Sequence, residues 1–79
     1  MYLEIITPDK KVFEGEVSSV LVPGSGGQFQ MLENHAPIIS TLINGKVKVK
    51  TKAGEEHFDV HGGVVEMNGK KVVILAESA

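Results

Sequence analysis

Three residues in the second half of the chain have side chains that can bind a metal ion. His57, Asp59 and His61 alternate, and alternate residues of a β-strand share one face. Imidazole and carboxylate groups are common zinc ligands. On one strand, however, the two histidines would stand roughly 13 Å apart, too far for one ion to collect all three side chains. Two of them together with His35 remain a candidate metal site. A solvent-facing row is the simpler interpretation, because apolar residues occupy the intervening positions.

A glycine-rich segment, Gly24-Ser25-Gly26-Gly27, could present backbone amides to a phosphate group. Phosphate-binding loops of this kind lead into a helix and usually carry lysine and serine or threonine behind the glycines. Here Gln28-Phe29 follow and no helix begins, so a turn that needs positive φ is the favoured interpretation.

Lysines at positions 46, 48, 50 and 52 would form a ladder about 20 Å long on one strand face. Such a ladder could contact an anionic lipid or an acidic protein. It could also be a charged outer face that prevents strand-on-strand aggregation. Glu55, Glu56 and Asp59 of the following strand would partly neutralise it.

The composition excludes several classes of function. The chain has 79 residues, enough for one small domain, with a net charge of −2 and no cysteine, which rules out disulfides and thiol catalysis. All basic residues are lysines, and nucleic-acid recognition usually relies on arginine. No apolar run approaches the roughly 18 residues of a membrane-spanning helix, and no Ser-His-Asp set has a readable spacing. We therefore predict no catalytic residues, no resident metal, no cofactor and no nucleic-acid partner.

The hydrophobic pattern predicts strands throughout. Residues 12–22 alternate with a phase slip, for which Glu14-Gly15 is the expected bulge. Asn44-Gly45 is a preferred pair for a type I′ hairpin between the strands on either side, and Asn68-Gly69 is expected to make another tight hairpin. Residues 72–76 are apolar at both parities and are expected to be buried on both faces.

These signals predict an all-β fold, an antiparallel two-sheet β-sandwich of short strands. Its expected core contains Phe13, Val20, Val49, Phe58, Val73 and Leu75.

Four sequence motifs together resemble a known family. They are IITPDKKVFEG, VLVPG, GQFQMLENHAPI and HGGVVEMNGKKVVILAES. In this order they are similar to the N-terminal β-sandwich of the epsilon subunit of the F-type rotary ATP synthase, nearly end to end. The chain departs from the family pattern at Gln28, Gln30 and Glu33.

The resemblance implies a non-catalytic protein of the central stalk, or rotor. It would bind the gamma subunit and the c-ring of the membrane sector, and help couple proton or ion transport to ATP synthesis. The expected location is peripheral, on the cytoplasmic face of the bacterial inner membrane or the equivalent organelle membrane, with membrane contact only through the complex. The implied organisation is a single domain over residues 1–79, with the family's C-terminal helical extension absent.

By position, the resemblance places Gln28, Gln30, Met31 and Leu32 in a loop that faces the c-ring, and His35 near gamma. The residues themselves support a contact here. Phe29, Met31 and Leu32 are expected to be exposed, because so small a core cannot bury every apolar side chain of a loop. The alternative is a free-standing small β-sandwich binding module, with a ligand or metal at the face of His57, Asp59 and His61.

Overall fold

The computed structural model describes residues 1–34 and 36–79, which form nine β-strands and no helix. The predicted all-β fold is confirmed. The strands are β1 Tyr2–Ile6, β2 Lys11–Glu16, β3 Ser19–Gly24, β4 Gly27–Leu32, β5 Ile38–Leu42, β6 Gly45–Thr51, β7 Gly54–Val60, β8 Gly63–Asn68 and β9 Lys71–Ala76.

Hydrogen bonds connect all nine strands into one curled sheet. The order is β2-β1-β9-β8-β5-β3-β6-β7, and β4 lies on the other edge of β3. The prediction of a purely antiparallel sheet is wrong for one pair, because β1 and β9 run parallel. The first and last strands are far apart in the chain, so no tight turn constrains their relative direction.

The sheet folds over on itself where β3 meets β5. These two strands pair at a single position, Gly24 with Leu42. A five-stranded layer (β2-β1-β9-β8-β5) lies on one side of this junction and a four-stranded layer (β4-β3-β6-β7) on the other. The molecule is 17 Å deep in its shortest dimension, which suits two layers packed about 10 Å apart.

The predicted hairpin at Asn44-Gly45 is wrong. Both β5 and β6 run antiparallel to β3, so the chain keeps its direction and passes from one layer to the other. Neither residue has the positive φ that a type I′ turn requires. Gly45 is needed for a close approach instead, because a Cβ there would lie 2.9 Å from the Pro23 side chain.

The phase slip in residues 12–22 has a different position from the one predicted. The register of β1 against β2 shifts where Ile5 pairs with Phe13 and Ile6 pairs with Lys11. Val12 is therefore the extra residue, and Glu14-Gly15 is regularly paired. The hairpin between β8 and β9 is confirmed, but Asn68 is paired with Lys71 and the two turn residues are Gly69 and Lys70, of which Gly69 has a φ of 67°.

The core lies between the two layers. Val20 and Val49 are fully buried as predicted, while Phe13 and Phe58 pack against the core and are only partly buried. The prediction fails at Val73, which is only partly buried at an outward position of β9, and at Leu75, which is 54% exposed. In β9 the residues at positions 72, 74 and 76 point inward, so buried and outward-facing side chains alternate along the strand. The outward-facing residues Val73 and Leu75 are apolar, and no other layer of the described chain packs over them.

Candidate functional site

The segment predicted to dock partners is a strand, not a loop. β4 pairs with β3 along its whole length, from Gly24 opposite Gly27 to Ser19 opposite Leu32. Among the described residues it pairs with no other strand. The segment is therefore held by a continuous ladder on one edge, and its other edge pairs with no strand in the described part of the chain.

Strand parity divides the predicted docking residues into two rows. Gln28, Gln30 and Leu32 point outward and are exposed, with Leu32 51% exposed. Met31 points inward and is completely buried, and Phe29 is half-buried against the core. The predicted exposure is correct for Leu32 and wrong for Met31. A strand covered on one face must bury alternate side chains.

The glycine-rich segment forms the tight turn between β3 and β4, which confirms the interpretation as a turn. Gly27 has a φ of 128°, in the region that favours glycine. The turn is also fastened to β5, because the Ser25 amide donates to the Thr41 carbonyl at 2.9 Å. The Ser25 and Thr41 hydroxyls lie 2.6 Å apart.

The lysine ladder lies on the same outer face as the outward row of β4. Gln30 is opposite Leu21, Leu21 is opposite Lys48, and Lys48 is opposite His57, so these residues form one row across four strands. Lys46, Lys48 and Lys50 are on β6, an inner strand of this layer, and Lys52 lies in the turn that follows it. The outer face thus carries uncharged amides at the β4 edge and charged residues towards the β7 edge.

The histidines and Asp59 do not converge on one point. Asp59 accepts from the Lys46 ammonium at 3.1 Å. His57 lies 3.2 Å from a carboxylate oxygen of Glu55, and this hydrogen bond holds the pKa of Glu55 below its usual range. His61 follows the end of β7, where its amide donates to the Ser78 carbonyl. Within residues 1–34 and 36–79, no three metal-binding side chains are grouped to hold an ion.

Glu33, which departs from the family pattern, fixes the end of β4. Its carboxylate accepts from the Met1 ammonium at 2.9 Å. This hydrogen bond lowers the pKa of Glu33 and raises the pKa of the ammonium. The pair lines an open cleft of about 530 Å³ with Glu16, Val17, Ser18, Thr51, Lys52 and Ala53. His35, the predicted gamma contact, lies outside the described residues.

The structure also reveals an exposed apolar patch on the outer face of the five-stranded layer. Val64 and Leu75 stand opposite each other on β8 and β9, and Ile6 is opposite Leu75. Ile39, on β5 of the same layer, is 71% exposed. The sequence pattern did not indicate this patch, because residues 72–76 are apolar at both parities and were expected to be buried on both faces. The alternation of burial in β9 becomes visible only when its neighbours are known.

Comparison with known proteins gives a consistent picture. The family "ATP synthase, Delta/Epsilon chain, beta-sandwich domain" matches residues 1–79. The ATP synthase epsilon chain of Chlorobium limicola is 42% identical over 76 residues, which cover 95% of this chain and 86% of the relative. The epsilon chain of Caulobacter vibrioides is 40% identical over 79 residues, covering 100% and 92%. The epsilon chain of Nitratidesulfovibrio vulgaris is 42% identical, and 59% of its length is covered.

Solved structures share the fold. A chain of the Euglena gracilis mitochondrial ATP synthase, in an OSCP/F1/c-ring structure, superimposes with a TM-score of 0.88 at 20% identity, over 96% of this chain and 49% of that chain. A chain from the central stalk and c-ring structure of the Tetrahymena thermophila enzyme gives a TM-score of 0.78 at 18% identity, over 95% and 61%.

The fold defines a small β-sandwich with no catalytic constellation among its described residues. The chain belongs to the β-sandwich domain family of ATP synthase delta and epsilon chains. Epsilon chains are non-catalytic subunits of that complex. The described residues contain no helix that could cross a membrane.

Proposed function

We propose that the chain acts as the epsilon subunit of an F-type ATP synthase. In this role it is a non-catalytic rotor protein that binds the gamma subunit and the c-ring and helps couple ion transport to ATP synthesis. The observation that carries the proposal is the family match over residues 1–79, together with epsilon chains about 40% identical over nearly the whole chain. The chain would then lie at the periphery of the membrane, on its cytoplasmic face in bacteria or the equivalent face in an organelle.

The proposed ring contact is the outward row of β4: Gln28, Gln30 and Leu32. Two observations support it. The row is exposed and held straight by the β3 ladder, so its three side chains project in a fixed line about 13 Å long. It is also uncharged, with amides and one apolar side chain, which costs little to desolvate compared with a charged row. Met31 is buried beneath this row and supports the strand by packing in the core. His35 supplies the proposed gamma contact.

The test compares two apolar residues of nearly equal exposure on opposite outer faces. Leu32 is 51% exposed on β4 and Leu75 is 54% exposed on β9. Leu32→Asp is expected to weaken binding to purified c-ring at least tenfold, because a carboxylate replaces an apolar contact. Leu75→Asp is the matched control and should leave ring binding within a factor of two or so. His35→Ala should weaken binding to isolated gamma and leave ring binding unchanged.

Circular dichroism and thermal melts must show that all three variants fold. Equal ring affinity of Leu32→Asp and the parent would overturn the assignment of the β4 row. Failure of the parent chain itself to bind either gamma or the ring would overturn the proposed function.

A further inference from the structure

The free edges of the sheet are not equally protected. Strands β2, β4 and β7 each pair with a single neighbour among the described residues. Exposed edges normally carry charges, a bulge or proline, because unprotected backbone groups recruit further strands. β2 has the bulge at Val12 and three charged residues, and β7 carries Glu55, Glu56, His57 and Asp59. β5 is also partly open, but it is five residues long and directly follows Pro37.

β4 has none of these protections. Its sequence, GQFQML, contains no charge and no proline, and its register against β3 is continuous. The backbone groups that face its free edge follow from the antiparallel pattern. The tight turn makes Gly24 and Gly27 a hydrogen-bonded pair, and such pairs alternate along the ladder. The N–H and C=O groups of Gln28, Gln30 and Leu32 therefore point away from β3.

We propose that β4 is a strand-pairing edge and that, in the absence of assembly partners, its occupant is the β4 strand of a second copy of this chain. Antiparallel pairing about a twofold axis at Gln30 places Gln30 opposite its own copy and Gln28 opposite Leu32. Because these are the residues with free edge groups, the register forms six backbone hydrogen bonds. It joins the two four-stranded layers into one eight-stranded sheet.

The chemistry of β4 favours self-pairing over the same arrangement at the other edges. The twofold axis brings two glutamine amides together, and these can donate to and accept from each other. No like charges meet across the β4 pair. At β7 the same symmetry would bring acidic side chains close to one another, which is destabilising. The second copy lies beside the outward row of β4, so it and the c-ring proposed above would compete for the space next to this edge. Only this last consequence rests on the proposed function.

The interface is a strand edge, below the size of a typical stable interface, so dimerisation should appear at micromolar to millimolar concentrations. Sedimentation equilibrium of the isolated chain measures it. Gln30→Lys sets two lysines directly opposite each other and should weaken the dimer about tenfold. His57→Lys is the matched control, since His57 lies in the same cross-strand row at the β7 edge. This variant should dimerise like the parent.

Cross-linking identifies the edge directly, because the chain has no cysteine of its own. Opposed residues of a hydrogen-bonded pair have Cα atoms about 5.5 Å apart, within disulfide range. Gln30→Cys should therefore give a covalent dimer under mild oxidation, and His57→Cys should give much less.

The proposal would be overturned if the parent chain stayed monomeric at millimolar concentration or if Gln30→Lys did not weaken the dimer. It would also be overturned if Leu75→Gln abolished the dimer, because Leu75 lies on the outer face of the other layer and the interface would then be there. None of these measurements involves gamma or the ring, so their failure is distinct from failure of the proposed function.

Discussion

At the scale of single residues, strand parity separates packing from binding within β4. Met31 and Leu32 are neighbours with similar hydrophobicity, and both were expected in an exposed loop. The ladder with β3 turns Met31 into the core and Leu32 out to solvent. A substitution at Met31 therefore reports on folding, and only the outward row can report on partners.

The first prediction follows from that division. Met31→Asp should lower the free energy of unfolding by about 5 kcal/mol or more, because it removes a buried side chain and puts a carboxylate in its place. That is close to the total stability of a small domain. Leu32→Asp should cost about 1 kcal/mol or less. Urea unfolding followed by circular dichroism compares the two. A Met31→Asp variant as stable as Leu32→Asp would contradict the burial of Met31.

A second residue-scale prediction concerns acid stability. Glu4, on β1, accepts from Lys71 at 3.0 Å and contacts Lys11 at 3.2 Å. These two hydrogen bonds, Lys71 foremost, hold the pKa of Glu4 below its usual range. A carboxyl with a lowered pKa in the folded state adds stability above its unfolded pKa, near 4.3. That stability disappears as the pH falls through the folded value.

Glu4→Gln should therefore be less stable than the parent at neutral pH, and the difference should vanish at strongly acidic pH. Glu66→Gln is the control, because Glu66 lies on the same outer face with no ion pair among the described residues. Urea titrations at neutral and acidic pH give the comparison. A Glu4→Gln deficit that stays constant with pH would show that the ion pairs are not its cause.

At the scale of elements, the turns show what the sequence could and could not predict. Asn68-Gly69 and the glycine-rich turn were predictable because their conformation depends on residues next to each other. Asn44-Gly45 has the same local signature but continues the chain from one layer to the other. There the deciding contact is with Pro23, about twenty residues earlier, and no local pattern contains it. The same holds for the predicted site. The sequence indicated which residues belong to it, but whether each side chain points into the core or out to solvent depends on the pairing of β4 with β3.

Gly63 is the element-scale prediction. It begins β8 with a φ of 133°, and a Cβ there would lie 2.3 Å from the Leu75 carbonyl oxygen. Backbone on the neighbouring strand cannot move aside without breaking the ladder. Gly63→Ala should cost at least about 3 kcal/mol, from strain and the clash together. Gly26→Ala, with nothing within 4 Å of the added Cβ, should change stability by less than about 0.5 kcal/mol. Thermal melts of the two variants give the comparison, and equal melting temperatures would contradict the close approach.

At the scale of the whole molecule, the curled sheet brings its two ends together. β2 and β7 stand at opposite ends of the strand order, yet the rings of Phe13 and Phe58 meet edge to face with centroids 5.5 Å apart. Both rings pack against the core from outside its fully buried part. This aromatic pair is therefore a link between the two layers on the side away from the β3–β5 junction.

A double-mutant cycle tests this closure. Phe13→Ala and Phe58→Ala should each lower the free energy of unfolding by about 2 kcal/mol, less than for fully buried rings because both are partly exposed. The double variant should lose about 0.5–1.5 kcal/mol less than the sum, the coupling expected of an edge-to-face pair. The control pair is Phe13→Ala with Leu75→Ala, whose side chains lie on different faces, and it should be additive. Additive losses for the two phenylalanines would mean that the layers are joined only at the β3–β5 junction and that the edges of β2 and β7 move independently.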